Sequence, residues 1–64
     1  MFKLDFTKVN KNQKDFFLLE AQCHEWVEYN RSLKAWVFKK EYLEEIREWI
    51  GVVNAPIEVI KISS

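Results

Sequence analysis

The chain has 64 residues, a formal net charge of zero from ten basic and ten acidic residues, and one cysteine. A domain this short buries a smaller share of its surface than a larger one, so it usually needs dense packing, disulfides, a metal or a partner. An internal disulfide is excluded, and Cys23 with the single histidine, His24, cannot supply the four ligands of a usual structural zinc site. We therefore expect no metal or cofactor, and a core built largely from three Trp, two Tyr and five Phe.

The first residues alternate charged and apolar side chains, which is not the pattern of a secretory signal. No apolar run is long enough to span a bilayer, so we expect no membrane partner. A free cysteine without a targeting segment indicates a reducing, cytoplasmic compartment. The 48% hydrophobic content, with one Gly and one Pro, is typical of a globular chain.

The N-terminal segment predicts a half-buried strand followed by a helix. Phe2, Leu4 and Phe6 alternate with polar residues, which places them on one face of the strand. A helix is then expected over about residues 13–22, capped by Asn10 or Asn12. Gln13 and Asp15 lie at capping-box spacing from these two caps. The apolar stripe of the helix is formed by Phe16, Leu19 and Cys23, broadened by Phe17 and Leu18.

The segment after this helix leaves two alternatives open. Trp26, Val27 and Tyr29 favour a strand, but the preceding helix could also continue through Trp26. Residues 30–32 predict a turn, because Asn tolerates positive φ and both Asn and Ser bond locally to the backbone.

A strand is predicted over residues 34–38. Trp36 and Phe38 lie on one of its faces, and Ala35 and Val37 lie on the other. We expect Trp36 and Phe38 in the core, since a domain this small needs its large aromatic residues inside.

The second helix, over residues 40–50, has the clearest amphipathic pattern. Leu43, Ile46 and Ile50 line one face, flanked by Tyr42 and Trp49. Gly51 stands where a C-cap glycine is expected. Pro56 ends the following loop, and residues 57–62 predict a last strand.

The resulting order of elements is β-α-β-β-α-β. It predicts a single α+β domain over residues 1–64, with two helices packed on one face of a small, mostly antiparallel sheet. An exposed edge strand, either the Phe2 strand or residues 57–62, could pair two copies into a homodimer.

Basic residues cluster around the turn and the two helix starts, which suggests binding to nucleic-acid phosphates. The neutral net charge is unusual for a dedicated nucleic-acid binder, and a solvated turn beside core aromatics would show the same pattern. The candidate nucleic-acid-binding residues are Lys8, Lys11, Arg31, Lys34, Lys39 and Lys40.

Residues 28–50 resemble the HARP domain, an accessory module of Swi/Snf-type annealing helicases. The shared pattern is a Tyr, a turn, a Lys, a Trp-x-Phe strand and a helix that opens with Tyr and Leu. It corresponds to Tyr29, Lys34, Trp36, Phe38, Tyr42 and Leu43, with Ile46 continuing it. The resemblance implies an accessory contact with forked or single-stranded DNA through Arg31, Lys34 and Lys39, and mainly structural roles for Trp36 and Phe38. The chain carries no Walker lysine motif, so any such binding would be passive.

The alternative hypothesis is a protein-interaction module, such as an inhibitor or regulator of a larger protein that is made by a phage or another mobile element. The acidic helix or an exposed aromatic side chain would dock on the partner. An exposed, solvated helix face would show the same acidic pattern. The candidate residues for this role are Glu41, Glu44, Glu45, Glu48, Trp26 and Trp49.

Catalysis is not indicated by any motif. Cys23, His24 and Glu25 are sequence neighbours, and such neighbours point in different directions on a helix or strand, so they rarely form a catalytic set. With one glycine, the chain also lacks a phosphate-binding P-loop. We therefore expect a binding protein and not an enzyme.

Overall fold

The computed structural model describes residues 1–62 and confirms the predicted order of elements. A short 3-10 turn at Lys40–Tyr42 leads into the second helix. The elements are β1 (Phe2–Asp5), α1 (Lys11–Cys23), β2 (Glu28–Asn30), β3 (Ala35–Phe38), α2 (Leu43–Val53) and β4 (Glu58–Lys61).

The sheet has the strand order β2-β3-β1-β4, and each neighbouring pair is antiparallel. β1 and β2 therefore run in the same direction with β3 between them, and β3 and β4 run in the same direction with β1 between them. The two βαβ units interleave, which is the split-βαβ arrangement. The edge strands are β2 and β4. The prediction that the Phe2 strand could be an edge is therefore wrong, whereas the predicted segment 57–62 does contain an edge strand, β4.

Both helices pack on one face of this sheet. The register pairs Phe2 with Phe38 and Leu4 with Trp36, so these four side chains share a face. Leu4 and Phe38 belong to the same buried cluster as helix residues, while Phe2 and Trp36 are partly buried against it. The buried residues of that cluster are Leu4, Phe17, Leu18, Ala21, Val27, Phe38, Ile46, Ala55 and Ile57. The α+β fold prediction is confirmed, including the two faces of β3.

The other face of the sheet is open and carries small, aliphatic and charged side chains. Val37 is nevertheless only 1% exposed, because it lies on a central strand between its register partners Lys3 and Glu28. No strand residue on this face is aromatic within residues 1–62, so the open face offers no stacking platform. Its members are Lys3, Asp5, Glu28, Asn30, Ala35, Val37, Glu58 and Ile60.

The cap of α1 is as predicted, but its buried face is centred on different residues. The Asn10 side chain accepts a hydrogen bond of 2.8 Å from the Gln13 amide, which satisfies one of the free N–H groups at the helix start. The buried residues are Phe17, Leu18 and Ala21. The prediction that Phe16, Leu19 and Cys23 form the centre of the apolar stripe is wrong, since all three side chains are exposed. Phe17 and Leu18, which were predicted to broaden the stripe, are buried.

α2 continues through Gly51 and ends at Val53, so the predicted C-cap at Gly51 is also wrong. The left-handed residue is Asn54, with φ 56°, and its amide donates a hydrogen bond of 2.9 Å to the carbonyl of Ile50. Asn takes this conformation more readily than most residues because its short polar side chain can bond locally.

Replacing Gly51 by Ala should therefore stabilise the protein by about 0.5–1 kcal/mol, because glycine in a helix interior loses more backbone freedom than alanine. The added Cβ meets no other atom within 4 Å. Urea unfolding would measure the gain. Asn54→Ala is the matched control and should lower stability, because it forces a Cβ with no compensating polar group into positive φ. A loss of stability in Gly51→Ala would mean that the helix does not continue through this position.

Candidate interaction surfaces

The six basic residues predicted to bind nucleic acid do not form one surface. The strand directions place the end of β1, the start of α1 and the β2–β3 turn at one end of the sheet, which we call the hairpin end. Lys8, Lys11, Arg31 and Lys34 belong to these segments, whereas Lys39 and Lys40 follow β3 at the opposite end. The backbone of β3 separates Lys34 from Lys39 by about 16 Å, at about 3.3 Å per residue.

One of the cations at the hairpin end is paired. The Lys8 Nζ atom lies 3.3 Å from Glu58 Oε1, and both side chains are largely exposed. Such a surface pair contributes little stability, but it offsets the charge of Lys8. Within residues 1–62 the one other contact between a basic and an acidic side chain within 4.0 Å joins His24 to Glu20, so Lys11, Arg31 and Lys34 have no acidic partner there.

The structure brings four of the six residues predicted to bind a protein together at the helical layer. Trp26, Glu45, Glu48 and Trp49 line an open groove of about 280 Å³ with Val52, and we call it the interhelical groove. The two remaining candidates, Glu41 and Glu44, lie outside its lining, near the start of α2.

Trp49 is held across the two helices. Its indole Nε1–H donates a hydrogen bond of 3.2 Å to the Phe17 carbonyl of α1. Its ring packs on Phe16, with ring centroids 5.6 Å apart. Trp49 is thus partly buried and oriented, with part of its surface left in the groove.

Trp26 is held by the chain reversal after α1. Glu25 takes positive φ, 59°, and the Trp26 amide donates to the Ala21 carbonyl at 2.9 Å. The Trp26 ring stacks on the His24 imidazole at a centroid distance of 4.5 Å. His24 is in turn 3.1 Å from a Glu20 carboxylate oxygen. Both tryptophans therefore combine contacts to the core with exposed surface.

The structure adds three apolar residues that the sequence reasoning did not assign to a site. Phe16 is 53% exposed, Leu19 is 69% exposed and Val52 is 68% exposed. Phe16 and Leu19 are three residues apart on α1, so they are neighbours on the helix surface. The exposure of Phe16 and Leu19 could have been inferred from the unbroken apolar run from residue 16 to residue 19, because one packing face of a helix cannot bury four consecutive residues.

A second groove, of about 590 Å³, opens at the hairpin end. It mixes aromatic surface with three lysines from separate elements and one carboxylate, that of Asp5. Of its lining residues, Lys34 belongs to the six candidate nucleic-acid-binding residues. Its three lysines are Lys3, Lys14 and Lys34, and its aromatic lining includes Tyr29 and Trp36.

The Asp5 carboxylate is more acidic than usual. It accepts a hydrogen bond of 2.9 Å from the Thr7 amide, and this bond lowers the pKa of Asp5, with smaller contributions from the Thr7 hydroxyl and the charges of Lys3 and Lys8. Asp5 is therefore ionised at neutral pH and reduces the positive potential of the groove.

Two further findings bear on the class of site. Within residues 1–62, no group of three or more His, Cys, Asp or Glu side chains is arranged to hold a metal ion. In the same part of the chain, neither helix has the length and apolarity needed to cross a membrane.

No family model, curated protein or solved structure matches this chain. The resemblance to the HARP domain therefore stays a prediction.

Replacing Asp5 by Asn should weaken the acid sensitivity of folding. The Thr7 bond makes the carboxyl more acidic in the folded chain, so its stabilising contribution is present above the ordinary pKa of 3.8 and is lost as pH falls through the lowered folded value. Asn keeps an oxygen that can accept the bond but does not titrate. Between about pH 5 and about pH 2.5, urea unfolding should show a larger loss of stability in the native protein than in Asp5→Asn. Equal losses of stability in the two proteins would contradict a lowered pKa of Asp5 in the folded chain.

Proposed function

We propose that this protein is a protein-interaction module whose interhelical groove docks a cationic amphipathic helix of a larger partner. The observation that carries the proposal is the convergence of two anchored tryptophans, exposed aliphatic surface and two carboxylates in one groove.

The apolar part of the groove supplies binding energy. Interface hot spots are enriched in Trp, and they work best where the ring is already held in place before the partner arrives. Trp26 and Trp49 meet this condition through their backbone and ring contacts. Exposed Val52 lies within the groove, and exposed Phe16 extends the apolar surface through its contact with Trp49.

The charged part of the groove determines which sign of charge the partner helix must carry. Glu45 and Glu48 line it, and Glu41 and Glu44 add carboxylates nearby on the same segment. On α2 the one basic residue is Arg47. A partner helix with an apolar stripe flanked by Lys or Arg is complementary to this surface, whereas an acidic helix is repelled by it.

A labelled synthetic helix built only of Leu and Lys in an amphipathic pattern should bind the protein, and Val52→Lys should weaken that binding by about fivefold or more, because it puts a like charge into the apolar groove. Fluorescence anisotropy measures the affinity. The matched control is Leu33→Lys, which replaces another exposed aliphatic side chain outside the groove and should change the affinity by less than about twofold.

Two results would contradict this proposal. One is equal binding of the Leu/Lys helix and a Leu/Glu helix of the same pattern. The other is self-association of the protein, measured by sedimentation, that Val52→Lys abolishes, because the groove would then be occupied by a second copy. Circular dichroism of each variant would show that it remains folded.

Nucleic-acid binding, as implied by the HARP-like segment, is the second candidate function. It is supported by the presence of Lys11, Arg31 and Lys34 at one end of the sheet, with no acidic partner within 4.0 Å among residues 1–62. It would use the hairpin end and not the far end, where Lys39 and Lys40 lie. The mechanism would be passive contact with phosphates.

The double variant Arg31→Gln/Lys34→Gln should weaken binding of forked DNA and lower the slope of log affinity against log salt by about 1.4–1.8, since each lost phosphate contact removes about 0.7–0.9. Lys39→Gln/Lys40→Gln removes the same charge from the opposite end and should leave affinity within about twofold. Anisotropy titrations at several salt concentrations would measure both. Equal weakening by the two double variants would show diffuse attraction and no site at the hairpin end.

A further inference from the structure

We infer that the groove at the hairpin end binds single-stranded nucleic acid, with one unpaired base stacked on Tyr29 and the adjacent phosphates held by lysines. This inference rests on the second candidate function and names its ligand and its contact residues. Two of those residues, Lys14 and Tyr29, lie outside the six candidate nucleic-acid-binding residues.

Tyr29 is the available stacking surface. The residue is 50% exposed, although its side chain lies on the core-facing side of edge strand β2. Trp36, its register partner, packs edge-to-face against it with ring centroids 5.4 Å apart. Trp36 therefore fixes the orientation of the Tyr29 ring while half of Tyr29 stays open to a ligand, which is the arrangement that base stacking requires.

Lys14 on α1 and Lys34 in the β2–β3 turn come from separate elements, so the fold and not the local sequence brings them together in the groove. Lys3, the third lysine of the groove, projects from β1 on the open face of the sheet, opposite to Tyr29, so Lys14 and Lys34 are the phosphate contacts of a base stacked on that ring. The Lys14 ammonium lies 5.4 Å from the centroid of the Phe6 ring, a cation–π contact that holds it in place.

The turn itself is fixed by hydrogen bonding. The Asn30 side chain accepts a hydrogen bond of 2.9 Å from the Leu33 amide, and Lys34 then takes positive φ, 52°. The ammonium group of Lys34 is thus carried by an ordered loop beside Tyr29.

The shape of the groove favours a single strand over a duplex. Its volume of about 590 Å³ is in the range of small-molecule sites, about 300–1,000 Å³, and suits one or two nucleotides. A base can stack on an aromatic side chain only when it is unpaired or splayed out. The open sheet face gives no alternative platform, because its strand residues within residues 1–62 are not aromatic.

Asp5 provides an internal test of the electrostatics. It contributes the groove's single carboxylate and is ionised at neutral pH. Removing this charge should raise affinity for a polyanion, and circular dichroism would show that the variant remains folded.

The experiment is a fluorescence-anisotropy titration of labelled oligothymidylate, a blunt duplex and a free fluorescent mononucleotide at low salt. Tyr29→Leu keeps an apolar side chain against Trp36 but removes the ring, and it should weaken oligothymidylate binding by about fivefold or more. Tyr29→Phe should stay within about twofold, because the ring remains. Asp5→Asn should bind the oligonucleotide more tightly. Duplex binding should be weaker than single-strand binding in the native protein, and Tyr29→Leu should reduce this difference.

The outcomes separate this inference from the function on which it rests. Loss of binding in Arg31→Gln/Lys34→Gln with no effect of Tyr29→Leu would keep nucleic-acid binding and overturn the stacking groove. A mononucleotide that binds as tightly as the strand would overturn the single-strand assignment in favour of a free nucleotide. No binding of any probe at low salt would exclude both the second candidate function and this inference.

Discussion

One packing constraint organises the molecule, namely that both helices cover the same face of the sheet. A chain of 64 residues cannot supply a third layer, so one face must bury nearly all of the large side chains. The register of β1 on β3 achieves this by pairing Phe2 with Phe38 and Leu4 with Trp36 on the helical side. Leu18 and the other buried residues of α1, together with α2, then close the core. The positions of both grooves follow from this arrangement.

The same constraint leaves apolar side chains without cover. α1 carries more apolar surface than the sheet can bury, so Phe16 and Leu19 remain exposed on its outer side. Trp49 lies between the two helices, and its indole N–H donates to the Phe17 carbonyl. In a larger domain another layer would cover this surface, whereas here it remains exposed beside two ordered tryptophans. Exposed apolar surface of this kind is characteristic of interaction sites.

A sequence prediction was accurate where the residue pattern of an element allowed only one arrangement. Strand faces could be predicted because a period of two leaves one choice once Trp36 and Phe38 are assigned to the core. The buried face of α1 could not, because residues 16–19 are all apolar and periodicity cannot choose among them. The end of α2 was misplaced because Asn54 takes the left-handed position usually given to glycine. The acidic groove residues were identified by type, but the lysines of the other groove come from a strand, a helix and a turn that only the tertiary fold brings together.

The net charge of zero says little about which ligands the surface can attract. The lysine-lined groove lies at one end of the sheet, while Glu45 and Glu48 lie on the helical layer. The molecule is 29 Å along its longest dimension, and the Debye length is about 8 Å at physiological ionic strength. Charges on different faces are therefore largely screened from each other, and a ligand responds to the local potential. A neutral chain can thus present a cationic groove and an acidic one, and the occupancy of either is governed by the charges that line it.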